Sequence, residues 1–326
     1  LHKNDVSWGY YVYKGTEPDC DNDAAMSCAP VGQQAKTPGI WNPLPYFTDV
    51  QQDDQLGNIQ SLTDFFTAAN AEHYREVAGE RDISELGVSE HVYRFAQALD
   101  VWQHPLWREF ARDDLDEYCR FVREDTDLRL GIEADFIPGG EDRMANLLQA
   151  RDFDYVIGSV HFLRDHALDM DDYSVWGSGR SAEEIWRAYF QTLGEAARSG
   201  LFDILAHPDL VKVWGRARRD RPLPAGDLRR YYELAIDGIA ESGVAIEVST
   251  AGLRKGAQEI YPAPAFLAMC VEAGAPIALS SDAHRPLDVG ADYDRALELL
   301  SAAGVGELCV FERRKRRIEA IGAGVL

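Results

Sequence analysis

The chain has 326 residues, 46% hydrophobic and 27% charged, a balance that supports a large buried core and excludes a wholly disordered polypeptide. Acidic residues outnumber Lys plus Arg by 55 to 33, a formal charge of −22. Such a surface excludes non-specific nucleic-acid binding and is repelled by anionic membranes; a small substrate with a cationic group, or a metal-loaded site, fits it better.

The chain begins with a stretch of distinct composition. Residues 1–67 contain Lys3, Lys14 and Lys36 but no Arg, whereas residues 68–326 contain Lys212, Lys255, Lys315 and 27 Arg. A uniform chain would place about five or six Arg in the first stretch. That stretch is rich in Asn, Gln, Pro and Gly and has little periodicity, so an irregular segment is expected up to a boundary within residues 63–70. Its best strand candidate is residues 6–13, where Trp8, Tyr10, Tyr11, Val12 and Tyr13 favour an extended chain.

Beyond the boundary, apolar runs at 85–90, 128–135, 155–161, 202–207, 244–249 and 276–282 alternate with amphipathic stretches at 64–81, 113–123, 141–150, 182–198, 227–242, 264–273 and 292–303. Short apolar strands separated by helices predict a parallel α/β sheet covered on both faces, either doubly wound or most of a barrel. A further apolar run, 307–311, is expected at the periphery. No apolar run reaches the roughly 18 residues of a membrane span. Five scattered Cys without a C-x-x-C pair fit a reduced, cytoplasmic setting. The opening Leu1-His2-Lys3-Asn4-Asp5 is no signal peptide and lacks Met, which fits a sequence that is a fragment at its amino end.

The six apolar runs share one property: each carries polar, metal-competent residues at or near its carboxyl end. They are Ser89-Glu90-His91, Glu133-Ala134-Asp135, Ser159-Val160-His161, Ala206-His207, Glu247-Val248-Ser249 and Ser281-Asp282-Ala283-His284. Parallel strands gather their carboxyl ends on one rim, so His91, Glu133, His161, His207, Asp282 and His284 should converge on a divalent metal such as Zn, Mn or Fe. One His after one strand is commonly structural; the repetition in successive strands is what points to ligands. His166, in a polar loop, is a candidate for a supporting role, while His73 and His104 read as bland. A metal cluster suits hydrolysis. Arg254 and Arg285, which follow the fifth and sixth runs, favour a phosphate ester, because guanidinium grips phosphate in a fork.

These residues resemble the PHP (polymerase and histidinol phosphatase) family, in its histidinol-phosphatase branch. The carriers are Gly87-Val88-Ser89-Glu90-His91, Gly131-Ile132-Glu133-Ala134-Asp135-Phe136, Gly158-Ser159-Val160-His161-Phe162, Leu205-Ala206-His207-Pro208-Asp209 and Ser281-Asp282-Ala283-His284. The resemblance spans residues 68–326 and implies a distorted (β/α)7 barrel with two or three divalent metals that hydrolyses L-histidinol phosphate in histidine biosynthesis. It implies catalytic roles for Glu133 and Asp282, with Glu133 bridging two metals. His161 and His207 complete one metal, Asp282 binds the other, His91 and His284 hold a third, and Arg254 and Arg285 contact phosphate. The sequence departs from the family in one respect: it contains no His-x-His, the family's first-strand ligand pair. The expected domain is therefore a barrel lacking its usual first strand, with fewer metals and impaired turnover. A catalytically inactive remnant that binds metal or phosphate, a phosphotyrosine phosphatase and an exonuclease of the same family remain alternatives, and oligomeric state is open. Residues 1–67, through Val6-Ser7-Trp8-Gly9-Tyr10-Tyr11, Trp41-Asn42-Pro43-Leu44-Pro45-Tyr46-Phe47 and Gln55-Leu56-Gly57-Asn58-Ile59-Gln60, resemble an internal piece of the bacterial phosphoesterase (phospholipase C-type) family and read as foreign to the fold.

Overall fold

The computed structural model describes residues 10–12, 15–17, 31–33, 43–215 and 218–321. The chain divides into two compact units, Leu1–Arg75 and Glu76–Leu326. In the first, Tyr10–Val12 pairs in parallel with Ile59–Ser61, and Gly15–Glu17 pairs antiparallel with Val31–Gln33. Short helical turns at Leu44–Tyr46, Thr48–Gln52 and Gln55–Asn58 complete its described part. Of the 6–13 strand candidate, residues 6–9 and 13 lie outside the described residues, as do Trp41 and Asn42. The helix Leu62–Glu80 carries the chain from the first unit into the second.

The second unit is built on a six-stranded parallel sheet: β1 (Gly87–His91), β2 (Arg129–Asp135), β3 (Tyr155–Ser159), β4 (Ile204–Leu205), β5 (Ala245–Ser249) and β6 (Ile277–Ser280), side by side in sequence order. Register places His91 beside Glu133, Asp135 beside Ser159, and Ser249 beside Ser280. Helices α1 (Leu115–Asp125), α2 (Glu141–Gln149), α3 (Ala182–Arg198), α4 (Arg229–Ser242), α5 (Pro264–Glu272) and α6 (Tyr293–Ala302) lie within the connections. This is the α/β barrel-type arrangement that the alternating runs predict. The run at 202–207 contributes only Ile204–Leu205 to the ladder. The helix Pro105–Phe110 and the small hairpin of Phe162–Leu163 with His166–Ala167 carry too little periodicity to be read from sequence.

Local chemistry explains the best-read helix. Ser181 precedes α3 and its hydroxyl accepts from the Glu184 amide at 3.2 Å, while the Glu184 carboxylate accepts from the Ser181 amide at 2.8 Å. That reciprocal pair satisfies two amides otherwise left without partners at the helix start. Gly194 of α3 faces Gly238 of α4, where an added Cβ would collide with the Gly194 backbone, so the two helices approach closely. Within the sheet, side chains at Gly87 or Gly131 would overlap the Tyr155 ring, so these glycines give Tyr155 its place.

Two carboxylates, one buried and one partly buried, tie off the amino ends of the strands. Asp154 accepts from the Leu130 amide at 2.9 Å, from Arg123 at 2.7 Å and from the Arg313 amide at 3.0 Å. Asp203 accepts from the Val156 amide and the Arg314 guanidinium, each at 2.8 Å. Both arginines sit in the turn of an antiparallel hairpin, β7 (Glu307–Glu312) and β8 (Lys315–Ala320). The 307–311 run is thus peripheral in pairing, yet its Cys309 and Phe311 pack against Ile157, Ile204, Ala245 and Ala278. Its partner β8 reads in sequence as a basic run.

The edge strands β1 and β6 are not paired with each other. Loops span the interval instead. Arg81, which precedes β1, donates to the carbonyls of Leu287 at 3.2 Å and of Val289 in the loop after β6. The Gly290 amide donates to Ser281 Oγ at 3.0 Å, and a side chain on Gly290 would run into Ile83. Among the described residues, no helix is long and apolar enough to cross a membrane.

Candidate metal centre

Glu133 lies inside β2, and strand alternation turns its side chain to the same face as Asp135. Its Oε1 is 3.3 Å from His207 Nε2 and 3.5 Å from His161 Nε2, and its Oε2 is 3.6 Å from His91 Nδ1. His91 ends β1, and His161 and His207 each stand two residues beyond β3 and β4, so with Glu133 of β2 the four side chains come from successive strands on one rim. Ring centroids are 5.5 Å apart for His91 and His161, 5.1 Å for His161 and His207, and 6.1 Å for His91 and His284. The last distance spans the two edge strands, so the sheet curls until its ends meet at the site. Asp282 lies beside His284, with 3.6 Å between Oδ1 and Nδ1.

The donor set fits a divalent metal. One ligand atom each from His91, Glu133 and His161 all fall within 4.8 Å of one another. Nδ1 of His91 and Nδ1 of His207 are buried without a hydrogen-bond partner, which is costly unless something else engages these rings. His161 Nδ1 instead lies 2.8 Å from Asp135 Oδ1. That contact assigns the Nδ1 proton toward the carboxylate and leaves Nε2 free toward Glu133. Imidazole with carboxylate is the ligand chemistry of Zn, Mn and Fe. Two residues of the set hold left-handed backbone, His207 at φ +26° and Asp282 at φ +44°. Such strain in non-glycine residues persists only where the surroundings impose it.

The electrostatics follow from burial and proximity. Burial alone would raise the Glu133 carboxyl, but His91, His207 and His161 outweigh it and hold the group well below the usual range. Burial would lower His161, yet Asp135 prevails and pushes it up to about 10. Glu247, buried in β5, is pushed up to about 7, chiefly by desolvation, with Asp282 and Glu133 adding to it. Its Oε2 accepts from the His207 amide at 2.7 Å and so fixes the strained turn.

A pocket opens over this cluster: His91, His161, His207, Asp282 and His284 line it together with Asp169, Trp214, Lys255 and Tyr261. Arg254 is half-buried; its guanidinium donates to the Ser281 carbonyl and, at 3.4 Å, to that of Asp282, and lies 4.0 Å from Asp288. Arg285 is exposed and grips Asp288 at 3.0 and 3.1 Å. His166 is exposed, and His104 is buried as a cap that accepts from the Leu106 amide at 3.2 Å. Sequence reasoning assigned no role to Asp135, Glu247 or Asp169, and noted Lys255 only as the neighbour of Arg254 on the rim. Asp135 was accessible to it, because it lies two residues from Glu133 in one strand and so shares its face.

A curled parallel sheet with a carboxylate-centred histidine cluster on its carboxyl rim defines the class of β/α-barrel proteins that hold metals at their strand ends. Comparison with known proteins makes the class specific: the PHP domain family model matches residues 60–251, and the chain belongs to that family. A Deinococcus radiodurans protein described as "Probable histidinol-phosphatase" is 34% identical over 249 residues, covering 74% of this chain and 90% of that protein. The histidinol-phosphatase of Bacillus subtilis is 28% identical over 186 residues, covering 52% of this chain and 68% of that protein. The crystal structure of histidinol phosphate phosphatase from Lactococcus lactis, complexed with Zn, L-histidinol and phosphate, is similar in fold. It matches with a TM-score of 0.59 at 18% identity, over 76% of this chain and 92% of that one.

Proposed function

We propose that the chain is a metal-dependent phosphomonoesterase that hydrolyses L-histidinol phosphate to L-histidinol and phosphate. The observation that carries this reading is Glu133 surrounded by His91, His161 and His207 on the rim of a family sheet. The names of the relatives and the ligands of the Lactococcus lactis structure support the substrate. Divalent ions held there would supply Lewis acidity and positive charge for phosphoryl transfer to water. Glu133 is the shared carboxylate, with His161 and His207 on one side and His91 on the other; Asp282 and His284 extend the set. Asp135 keeps His161 turned toward Glu133. Lys255, at the pocket border, joins Arg254 and Arg285 as a proposed phosphate contact; for Arg285 this requires release from Asp288.

The experiment is phosphate release from L-histidinol phosphate by chain purified with Zn or Mn, before and after chelation. Release that stops with chelator and returns with metal is the expected result; release indifferent to both overturns the reading. The second reading is a PHP protein that binds metal and phosphate with little turnover, and the absence of His-x-His from the sequence favours it. We further propose that residues 1–67 have an origin separate from the barrel, which genomic sequence across codons 60–72 tests. An uninterrupted reading frame there, in independent isolates, counts against it.

A further inference from the structure

Asp169 is the one pocket carboxylate outside the histidine cluster, and the metal-ligand reading gives it no task. Its Oδ1 is buried and has no hydrogen-bond partner among the described residues. The segment that carries it is held firmly. The Leu168 carbonyl accepts from the indole N–H of Trp176 at 3.1 Å and of Trp214 at 2.7 Å, and the Leu168 amide donates to the His161 carbonyl at 2.9 Å. Three fixed contacts on the preceding residue hold in place a carboxylate oxygen that pairs with nothing among the described residues. A buried, unpaired carboxylate oxygen is costly, and a cation brought by a ligand removes the cost.

The pocket therefore has, beside the histidine cluster, a carboxylate, Asp169, and a cation, Lys255, in its lining. Such an arrangement suits a phosphate monoester of an amino alcohol, which carries an anionic and a cationic group on one small molecule. The phosphate goes to the cluster and the neighbouring ammonium to Asp169. Trp214 also lines the pocket, with Arg221 packed over its ring at 3.8 Å, so its position is fixed as well.

We infer that Asp169 selects the substrate by pairing with the ammonium of an amino-alcohol phosphate. The inference rests on the phosphatase reading and adds the residue that distinguishes a cationic from a neutral ester. It is tested with metal-loaded full-length chain and Asp169→Asn, using calorimetric titration with L-histidinol and, separately, inorganic phosphate, together with metal analysis. Where turnover is measurable, L-histidinol phosphate is compared with p-nitrophenyl phosphate. The expected result is at least a tenfold loss of L-histidinol affinity in Asp169→Asn, with phosphate affinity and metal content unchanged; the retained phosphate affinity reports an intact fold. The loss in kcat/KM should fall on L-histidinol phosphate and spare p-nitrophenyl phosphate. Equal L-histidinol affinity in the two proteins overturns the inference while leaving the phosphatase reading intact. Loss of metal from the variant also overturns it, because Asp169 would then be a ligand, and equal losses on both esters would make it a structural group. Wild type that binds phosphate but no L-histidinol overturns the inference; wild type that binds neither overturns both readings.

Discussion

His161 owes its orientation to one neighbour. With Nδ1 at 2.8 Å from Asp135, its ring presents Nε2 to Glu133 and to whatever Glu133 holds. Asp135→Asn keeps the shape and removes the charge, so metal affinity should fall by about ten- to a hundredfold with little change in fold. Competition against a chromogenic chelator measures this, and unchanged affinity would remove Asp135 from the site. Glu133→Gln goes further, since it replaces the carboxylate that three imidazoles share; the purified variant should carry less than half the wild-type metal by elemental analysis. These residues differ in how far the sequence revealed them. His91, His161 and His207 were legible because each stands at the end of an apolar run, and strand direction alone gathers such ends. Asp169 was not, because the preceding hairpin is too short to show a pattern. The contacts of Arg254 were not either, because a long guanidinium can serve carbonyls or phosphate from the same position in sequence.

At the scale of elements, the amino ends of β2 and β3 depend on Asp154. Its carboxylate is buried and hydrogen-bonded to Leu130 and Arg313 amides and to the Arg123 guanidinium. Burial would raise its pKa, but these partners win and lower it. A depressed carboxyl stabilises the fold above its unfolded pKa of about 3.9, and that contribution is lost as pH falls through the folded value. Asp154→Asn should therefore cost about 2–3 kcal/mol at neutral pH, and the gap between variant and wild type should narrow below about pH 4. Urea melts at a series of pH values check both statements; a gap that persists at low pH would mean the loss is packing rather than charge. A second element-level expectation concerns Gly131. Adding a methyl there crowds the Tyr155 ring, and overpacking of this kind costs about 1–3 kcal/mol. Thermal melts of Gly131→Ala beside Gly131→Ala with Tyr155→Ala should show the second change recovering part of the loss caused by crowding. The sequence marked these strands by their apolar runs, but it could not show that a glycine in one strand exists to receive a tyrosine from another.

At the scale of the molecule, the helices and strands of residues 76–326 were mostly legible, because a parallel sheet covered on both faces writes itself as short apolar runs between amphipathic ones. The pairing of β7 with β8 was not, because Arg313, Arg314, Lys315, Arg316 and Arg317 read as a solvated charge run until their partners are known. The loop contacts that link the two sheet edges were equally invisible, being made by backbone carbonyls and one arginine. The incomplete histidine set sets the expected activity. Without His-x-His, turnover of L-histidinol phosphate should lie about three orders of magnitude below that of a complete family enzyme, the cost of losing a nucleophile-generating metal. Grafting a first strand with that pair should restore it. Steady-state phosphate release checks both, and turnover of about 1–1000 per second by the chain as it stands would show that other residues complete the site.

The clamp at the strand starts also dictates an order of events. Arg313 and Arg314 reach back 159 and 111 residues to Asp154 and Asp203. A ribosome delivers those two carboxylates long before it delivers the turn that completes their hydrogen bonds. Until then Asp154 has Arg123 and the Leu130 amide, but Asp203 has no guanidinium from the turn, so that strand start must stay wet or shelter an uncompensated charge. Contacts so distant along the chain close slowly, since their loop entropy is lost before any reward arrives. The consequence is a nascent barrel whose strand-start face stays open to chaperones and proteases and becomes protected only when the basic turn arrives.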